Sequence, residues 1–252
     1  MAKISFLGKV LPDVFLVTSS LPTVTFNSPD TGVKVQLDIK ILDSAITIDC
    51  EIDNYKPSDL VYIYIRAFDL VRAAVNIFAF AKGTGFTVII DKCIDDKGAV
   101  TSYVPIDNSL TSLCTAIDIN SPTGYDEAFK LIGLDPNLFM ALDDLIVSIT
   151  LPHHSAVNCA RAIEGIRQMI EPDNSGKPKW DKMHSALKTT KKYVDLITDS
   201  SKFPRHGNRI RIEGDVTQEI VKRSWIIMNR FLEYRKRGNT PLPELEFPIL
   251  TL

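Results

Sequence analysis

The chain has 252 residues, which is enough for one large domain or two modest ones. Hydrophobic residues make up 45% of it and charged residues 24%, which excludes a disordered, collagen-like or disulfide-stapled protein. The four cysteines are widely spaced and there are only four histidines, so we expect reduced, mostly buried thiols, no metal site and no cofactor.

No segment predicts secretion or membrane insertion. Residues 1–8 lack the apolar core and the small-residue cleavage site of a signal peptide. Residues 60–81 are the one long apolar stretch, but Arg66, Asp69 and Arg72 lie in its middle, where charges oppose insertion into a bilayer. We therefore expect a cytoplasmic protein without a membrane partner.

A β-hairpin is the clearest local pattern. Apolar and polar residues alternate over residues 33–52 on either side of a break at residues 42–45, which predicts two strands with one buried face. Pairing Ile41 with Ile46 sets apolar residues opposite one another and places Lys34 against Asp53 on the other face. Both faces predict the same register. Residues 23–27 predict a further strand.

A long helix is predicted to follow, ending at the glycines after residue 82. Its few polar residues, Arg66, Asp69, Arg72 and Asn76, fall on one stripe, and the rest of its surface is apolar. We therefore expect the helix to be buried on most sides. The stripe is either an ion-pair ladder along a wet edge, which we favour, or a charged groove that lines a ligand site.

The remaining pattern changes from strands to helices. Residues 86–90 and 100–106 predict strands across a turn at residues 95–98, and the apolar spacing becomes helical from residue 109. Helices are predicted over residues 125–132, 137–150, 155–170, 180–198 and 217–237, with a connection over residues 201–215. The predicted fold is α+β: an N-terminal antiparallel hairpin sheet packed on a long buried helix, then a C-terminal helical bundle. We place the domains at 1–120 and 121–252.

The charges are distributed unevenly. Residues 161–238 contain 18 Lys and Arg against 10 Asp and Glu, whereas residues 1–160 carry 11 against 19. A basic helical segment attracts phosphate backbones, so RNA is a candidate partner. The alternative is that the acidic and basic parts attract one another, either within one chain or between subunits.

Residues 202–209, KFPRHGNR, carry the most suggestive chemistry. His206 can exchange protons near neutral pH, and Arg205 can hold a phosphate and stabilise charge that builds on it. Metal-independent RNA cleavage needs these groups, because a ribose 2′-hydroxyl attacks the adjacent phosphate. Arg209, Lys202 and Arg161 are the residues that we expect to contact the RNA.

A structural role is the alternative for the same residues. His206 would then cap the preceding helix, and the arginines would pair with acidic side chains (Asp195, Asp199 or Glu213). On the helix over residues 155–170, Arg161 and Glu164 are three residues apart. They either pair with each other or face the turn at residues 205–206 and position it.

A basic helical bundle with an Arg-His-Gly turn after its second long helix resembles HEPN-family domains. The resemblance covers roughly residues 140–238 and implies an RNA-directed domain, often dimeric, in a family with catalytic and non-catalytic members. The catalytic members place the arginine four to six residues before the histidine, whereas Arg205 and His206 are adjacent here.

Two functional hypotheses follow. The first is an RNA-directed HEPN-like protein, in the active case a metal-independent endoribonuclease with His206 and Arg205 as catalytic residues. The second is a non-catalytic protein that forms homo-oligomers or other complexes through its acidic and basic faces.

Overall fold

The computed structural model describes residues 1–28, 31–102, 108–121, 123–172, 180–207 and 212–251. The chain divides into two compact units, Met1–Val104 and Pro105–Leu252. The division falls earlier than the boundary after residue 120 that the sequence predicts. The reason is that the buried side chains of Leu110 and Ala116 belong to the core of the helical unit.

The first unit, termed the sheet–helix unit, contains one antiparallel sheet among the described residues. Its strands are β1 (Ala2–Leu11), β2 (Ser19–Ser20), β3 (Val24–Asn27), β4 (Lys34–Leu42), β5 (Ala45–Ile52), β6 (Thr87–Ile94) and β7 (Val100–Ser102). Their order is β2-β4-β5-β1-β6-β7, and β3 also pairs with β4. The predicted hairpin register is confirmed, because Ile41 pairs with Ile46 and the pairing continues to Val35 and Ile52.

The sequence did not predict β1, the strand between β5 and β6. Its apolar alternation of Ile4, Phe6 and Val10 is interrupted at Gly8, where the pairing with β6 shifts register. A Cβ atom at Gly8 would lie 2.1 Å from the carbonyl oxygen of Ile89. Only glycine therefore allows the two backbones to approach this closely, and the same residue hides the strand's periodicity.

Helix α1 (Leu60–Lys82) packs on this sheet and ends at Gly83, whose φ of 61° is left-handed. Its buried residues, Ile63, Ala67, Val71 and Val75, recur every four residues and share a core with the strands. The expectation that the helix is buried on most sides was wrong. Only one face is covered, and apolar side chains on the outer face, such as Phe80, are exposed.

The second unit, termed the helical unit, contains all the remaining helices that the structure describes. They are α2 (Asn108–Thr111), α3 (Gly124–Ile132), α4 (Pro136–Thr150), α5 (Ser155–Ile170), α6 (Asp181–Leu187), α7 (Lys191–Arg205) and α8 (Gly214–Lys236). Helix α5 packs against α4, α6, α7 and α8 and lies at the centre of the unit. Within the described ranges, no helix has the length and apolarity needed to cross a membrane.

The predicted helix over residues 180–198 is two helices. Lys188 adopts a left-handed φ of 53°, and Thr190 starts α7 by accepting a hydrogen bond from the backbone of Tyr193. The carbonyl oxygens of Leu187 and Lys188 accept hydrogen bonds from Nη1 of the buried Arg230 at 3.0 and 2.8 Å. A side chain from α8 therefore satisfies the backbone groups that the break exposes.

Residues 239–251 form an extended strap along this break. Leu250 donates its backbone N–H to the Lys188 carbonyl and accepts from the Thr190 backbone at 3.1 Å. Arg230 Nη2 donates to the Pro248 carbonyl at 2.8 Å, and Leu242 is buried. The prolines of this segment predict an extended chain and do not show whether it is bound to the rest of the protein. In the structure it is hydrogen-bonded to the helices.

We predict that Gly8→Ala lowers the free energy of unfolding of the sheet–helix unit by about 2–3 kcal/mol, because a new methyl group would overlap the β6 backbone. Denaturant unfolding followed by circular dichroism, with hydrogen exchange on peptides from β1 and β6, measures the loss. Gly85→Ala is the matched control, since a Cβ at Gly85 meets no atom within 4 Å. Equal stability of the two variants would contradict the close approach.

Candidate functional site

The predicted site lies at the end of α7. The sequence analysis predicted a connection over residues 201–215, but residues 201–205 continue the helix, with Pro204 in its last turn. His206 is the residue that follows, and its backbone N–H donates to the Phe203 carbonyl at 3.1 Å. Its imidazole is exposed. Gly207, with a φ of 80°, then turns the chain away from the helix axis.

Arg205 is bound to a carboxylate of its own chain. Its Nη1 donates to Oε1 of Glu164 on α5 at 2.7 Å, and both side chains are partly exposed. Of the two alternatives for Glu164, the structure supports the one in which it faces the turn at residues 205–206. The other alternative, an ion pair between Arg161 and Glu164, is wrong, because Glu164 pairs with Arg205 and Arg161 with Asp144. The pair joins α7 to α5 and neutralises the charge of Arg205.

The other two described cations of the predicted site are also paired. Lys202 Nζ lies 2.7 Å from Oδ1 of Asp199 one turn earlier on α7, and this hydrogen bond raises the pKa of Lys202. Arg161 Nε lies 3.4 Å from Oδ2 of Asp144 on α4. Arg209 lies outside the described residues. The structure thus pairs Arg205, Lys202 and Arg161 with three different carboxylates.

A cleft of about 650 Å³ lies between α4, α5 and α8. Two ion pairs line it: Arg161 with Asp144, and Arg235 Nη2 with Oδ2 of Asp135 at 3.0 Å. Asp135 also caps α4 by accepting from the backbone of Asn137, as its sequence position before a proline predicts. The sequence reasoning missed both pairs, because the carboxylates and the arginines lie far apart along the chain.

Burial and the neighbouring arginine shift the pKa of Asp144 in opposite directions. Burial raises the pKa of this carboxyl above its ordinary value, and the guanidinium of Arg161 lowers it by a smaller amount. The side chain of Asp144 is only 15% exposed, whereas that of Arg161 is 54% exposed. Arg161 therefore reaches from the surface to a half-buried acid, which makes it a partner of α4 rather than a free cation.

Other side chains of the helical unit that could take part in catalysis are buried or partly buried and contact neighbouring hydroxyl groups. Burial raises the pKa of the Cys159 thiol, and the neighbouring hydroxyls of Ser148 and Ser224 lower it by a smaller amount, so this cysteine is a neutral core residue. His184 Nδ1 lies 2.8 Å from the Thr189 hydroxyl, and burial lowers the pKa of its imidazole. In the part of the chain that the structure describes, no three His, Cys, Asp or Glu side chains are grouped to hold a metal ion.

Several cations of the basic stretch lie inside the bundle. Arg167, Arg223 and Arg230 are less than 10% exposed. Arg223 Nε donates to Glu219 at 2.7 Å, its Nη1 donates to the Tyr193 carbonyl at 3.2 Å, and its guanidinium stacks on the Tyr193 ring. The whole helical unit, Pro105–Leu252, contains 19 Lys and Arg and 19 Asp and Glu. The basic stretch of the sequence is therefore part of an electrically balanced unit.

Two family models match the chain. Residues 4–104 match the N-terminal domain, and residues 125–236 the C-terminal domain, of the family described as "Domain of unknown function (DUF8168)". The two matches together cover most of the chain, in the order that their descriptions state. No curated protein and no solved structure matches it. The resemblance to HEPN domains stays a prediction, because these matches do not bear on it.

We predict that Arg161→Ala raises the pKa of the Asp144 carboxyl further, because it removes the one nearby charge that lowers it. Carboxyl ¹³C NMR titration measures the change. The folded-state pKa lies above the unfolded value, so the charged form of Asp144 opposes folding above that pKa. The variant should therefore lose stability near neutral pH, and the loss should shrink as the pH falls through the pKa.

Arg205→Ala is the control for this titration, since Arg205 is bound to Glu164 and not to Asp144. An Asp144 pKa that stays the same in Arg161→Ala, or moves equally in both variants, would contradict the pairing of Arg161 with α4.

Proposed function

We propose that this chain, which belongs to the DUF8168 family, is a non-catalytic interaction protein rather than a ribonuclease. One observation carries the proposal: Arg205, the cation that cleavage would place on the phosphate, donates to Glu164 at 2.7 Å. The carboxylate takes up one donor of the guanidinium and neutralises its charge. This supports the non-catalytic part of the second hypothesis from the sequence. It does not support contact through acidic and basic faces, because the cations are paired within the chain.

The electrostatics of the helical unit support the same proposal. An RNA phosphate that approached Arg205, Lys202 or Arg161 would also meet the carboxylate bound to each of them. Displacing a carboxylate gives up a charge-assisted hydrogen bond, so little free energy remains for the incoming phosphate. An arginine that is already paired neutralises an RNA phosphate less, so fewer of the cations condensed on the RNA are released, and that release is a large source of affinity.

One observation favours RNA cleavage as a second candidate. The exposed imidazole of His206 follows Arg205 directly, and Glu164 reaches the same helix end from α5. In this proposal the HEPN-like unit is RNA-directed, His206 transfers the proton, Arg205 or Arg209 contacts the phosphate, and Glu164 positions Arg205. The two candidates make opposite predictions for the removal of the Glu164 charge.

We predict that the purified chain neither cleaves nor retains RNA. The test incubates it with labelled single-stranded RNA in a chelator, and filter retention and light scattering are followed over a salt titration. In Glu164→Gln, retention at low salt should rise severalfold, because Arg205 is no longer neutralised. Glu244→Gln, on the exposed strap, removes the same charge away from Arg205 and should leave retention unchanged.

Cleavage by the wild-type chain that is lost in His206→Ala, with the fold intact by circular dichroism, would overturn the proposal. A Glu164→Gln variant that cleaves less than the wild type would identify Glu164 as a positioning residue of a ribonuclease. Retention of RNA by the wild-type chain with a steep salt dependence, and no cleavage, would instead indicate a non-catalytic RNA-binding protein.

A further inference from the structure

The exposed apolar side chains of the sheet–helix unit are concentrated at one end of it. Six of them, each more than half exposed, are defined here as the apolar end: Val14, Phe15, Leu16, Leu42, Ile77 and Phe80. Phe80 is 93% exposed, and residues 14–16 are three apolar residues in a row. Single exposed apolar residues are ordinary on protein surfaces, but a run with aromatic members indicates a contact surface.

The topology places these residues at the same end of the unit. Strand β1 ends at Leu11, which pairs with Thr87, the first residue of β6. Helix α1 ends at Lys82, only a short connection before that same residue, so its last turn lies at this end of the sheet. The turn between β4 and β5, next to Leu42, lies at this end as well, because Lys9 of β1 pairs with Ala45.

The loop that carries residues 14–16 is held in place by hydrogen bonds. The Val17 side chain is buried in the core, and its carbonyl accepts from the Ser44 backbone at 2.8 Å. Its own N–H donates to the Ser44 hydroxyl at 3.1 Å, and Thr18 bonds to Asp43. The fold thus fixes the loop against the β4–β5 turn and leaves Val14, Phe15 and Leu16 facing solvent.

The surface is large enough and suitably charged for self-association. Six large side chains present on the order of 800 Å², which equals one partner's share of a standard interface. The exposed charged residues beside them, Lys9, Asp13, Asp43 and Lys82, comprise two cations and two anions. An anionic lipid surface favours an excess of basic residues, whereas a two-fold interface needs one patch that complements itself.

We propose that the apolar end is the interface through which two copies of this chain form a dimer. The inference rests on the proposed function and specifies its partner as a second copy. In each copy Phe15 and Phe80 supply the aromatic contacts at the centre of the interface, where such side chains contribute most of the affinity. The mixed charges around them pair Lys9 and Lys82 of one copy with acidic residues of the other.

The experiment measures the mass of the full chain by sedimentation equilibrium over a range of concentrations. We expect twice the 28.1 kDa of one chain at micromolar concentration. Phe80→Asp and Phe15→Asp should each raise the dissociation constant at least tenfold. Neither side chain belongs to the buried core, so both variants should keep the wild-type circular dichroism. Leu245→Asp, at a fully exposed residue of the strap, is the matched control and should remain a dimer.

Two further measurements separate this dimer from other assemblies. Association should survive 1 M salt, because burial of apolar surface is not screened, whereas a dimer held by charges would dissociate. Hydrogen exchange of peptides covering residues 12–18 and 77–82 should increase on dilution, while exchange in the helical unit stays unchanged.

A wild-type chain that is monomeric at every concentration would overturn the proposal, as would a dimer that both Asp variants leave intact. Protection of residues 12–18 only when anionic vesicles are added would overturn it in favour of a lipid surface. These outcomes are independent of the RNA assay: a monomer that ignores RNA refutes the dimer alone, and a dimer whose RNA cleavage depends on His206 refutes the proposed function alone.

Discussion

The packing of the helical unit depends on ion pairs in which its arginines are neutralised by carboxylates of the same unit. Asp135 caps helix α4 and Asp144 lies within it; they pair with Arg235 from α8 and Arg161 from α5. Each of these pairs joins two helices, so the cations also hold the bundle together. A surplus of basic residues along a stretch of sequence is therefore no measure of the potential at the surface, because the neutralising carboxylates also come from other parts of the chain.

The two units build their cores in different ways. The sheet–helix unit covers one face of its sheet with a single helix and leaves the outer face of that helix partly apolar. The helical unit surrounds α5 with other helices, and many of its exposed charges are paired. It also exposes apolar side chains, such as Phe129, Leu134 and Phe139. In the dimer proposed above, the contact is driven by apolar burial on the first unit, so salt affects it less than it would affect an electrostatic interface.

The sequence predicts those parts of the fold that depend on residues close together along the chain. The β4–β5 register follows from alternation, and the start of α4 follows from the Asp135-Pro136 pair. The break after α6 and the strand β1 were missed, because the first is stabilised by Arg230 from a distant helix and the second is interrupted by the close approach at Gly8. At the candidate site the residue types were visible in the sequence. The partner of Arg205 was not, since Glu164 lies 41 residues away.

The strap has a consequence for the order of folding. Thr190 and Leu250 are hydrogen-bonded although 60 residues separate them. During synthesis, α6 and α7 leave the ribosome before Arg230 and Leu250, so the carbonyl groups between these helices first hydrogen-bond to water. All the described strands of the sheet lie within residues 1–102. Translation therefore allows the sheet–helix unit to fold first, while the bundle reaches its final form only after residue 250 has emerged.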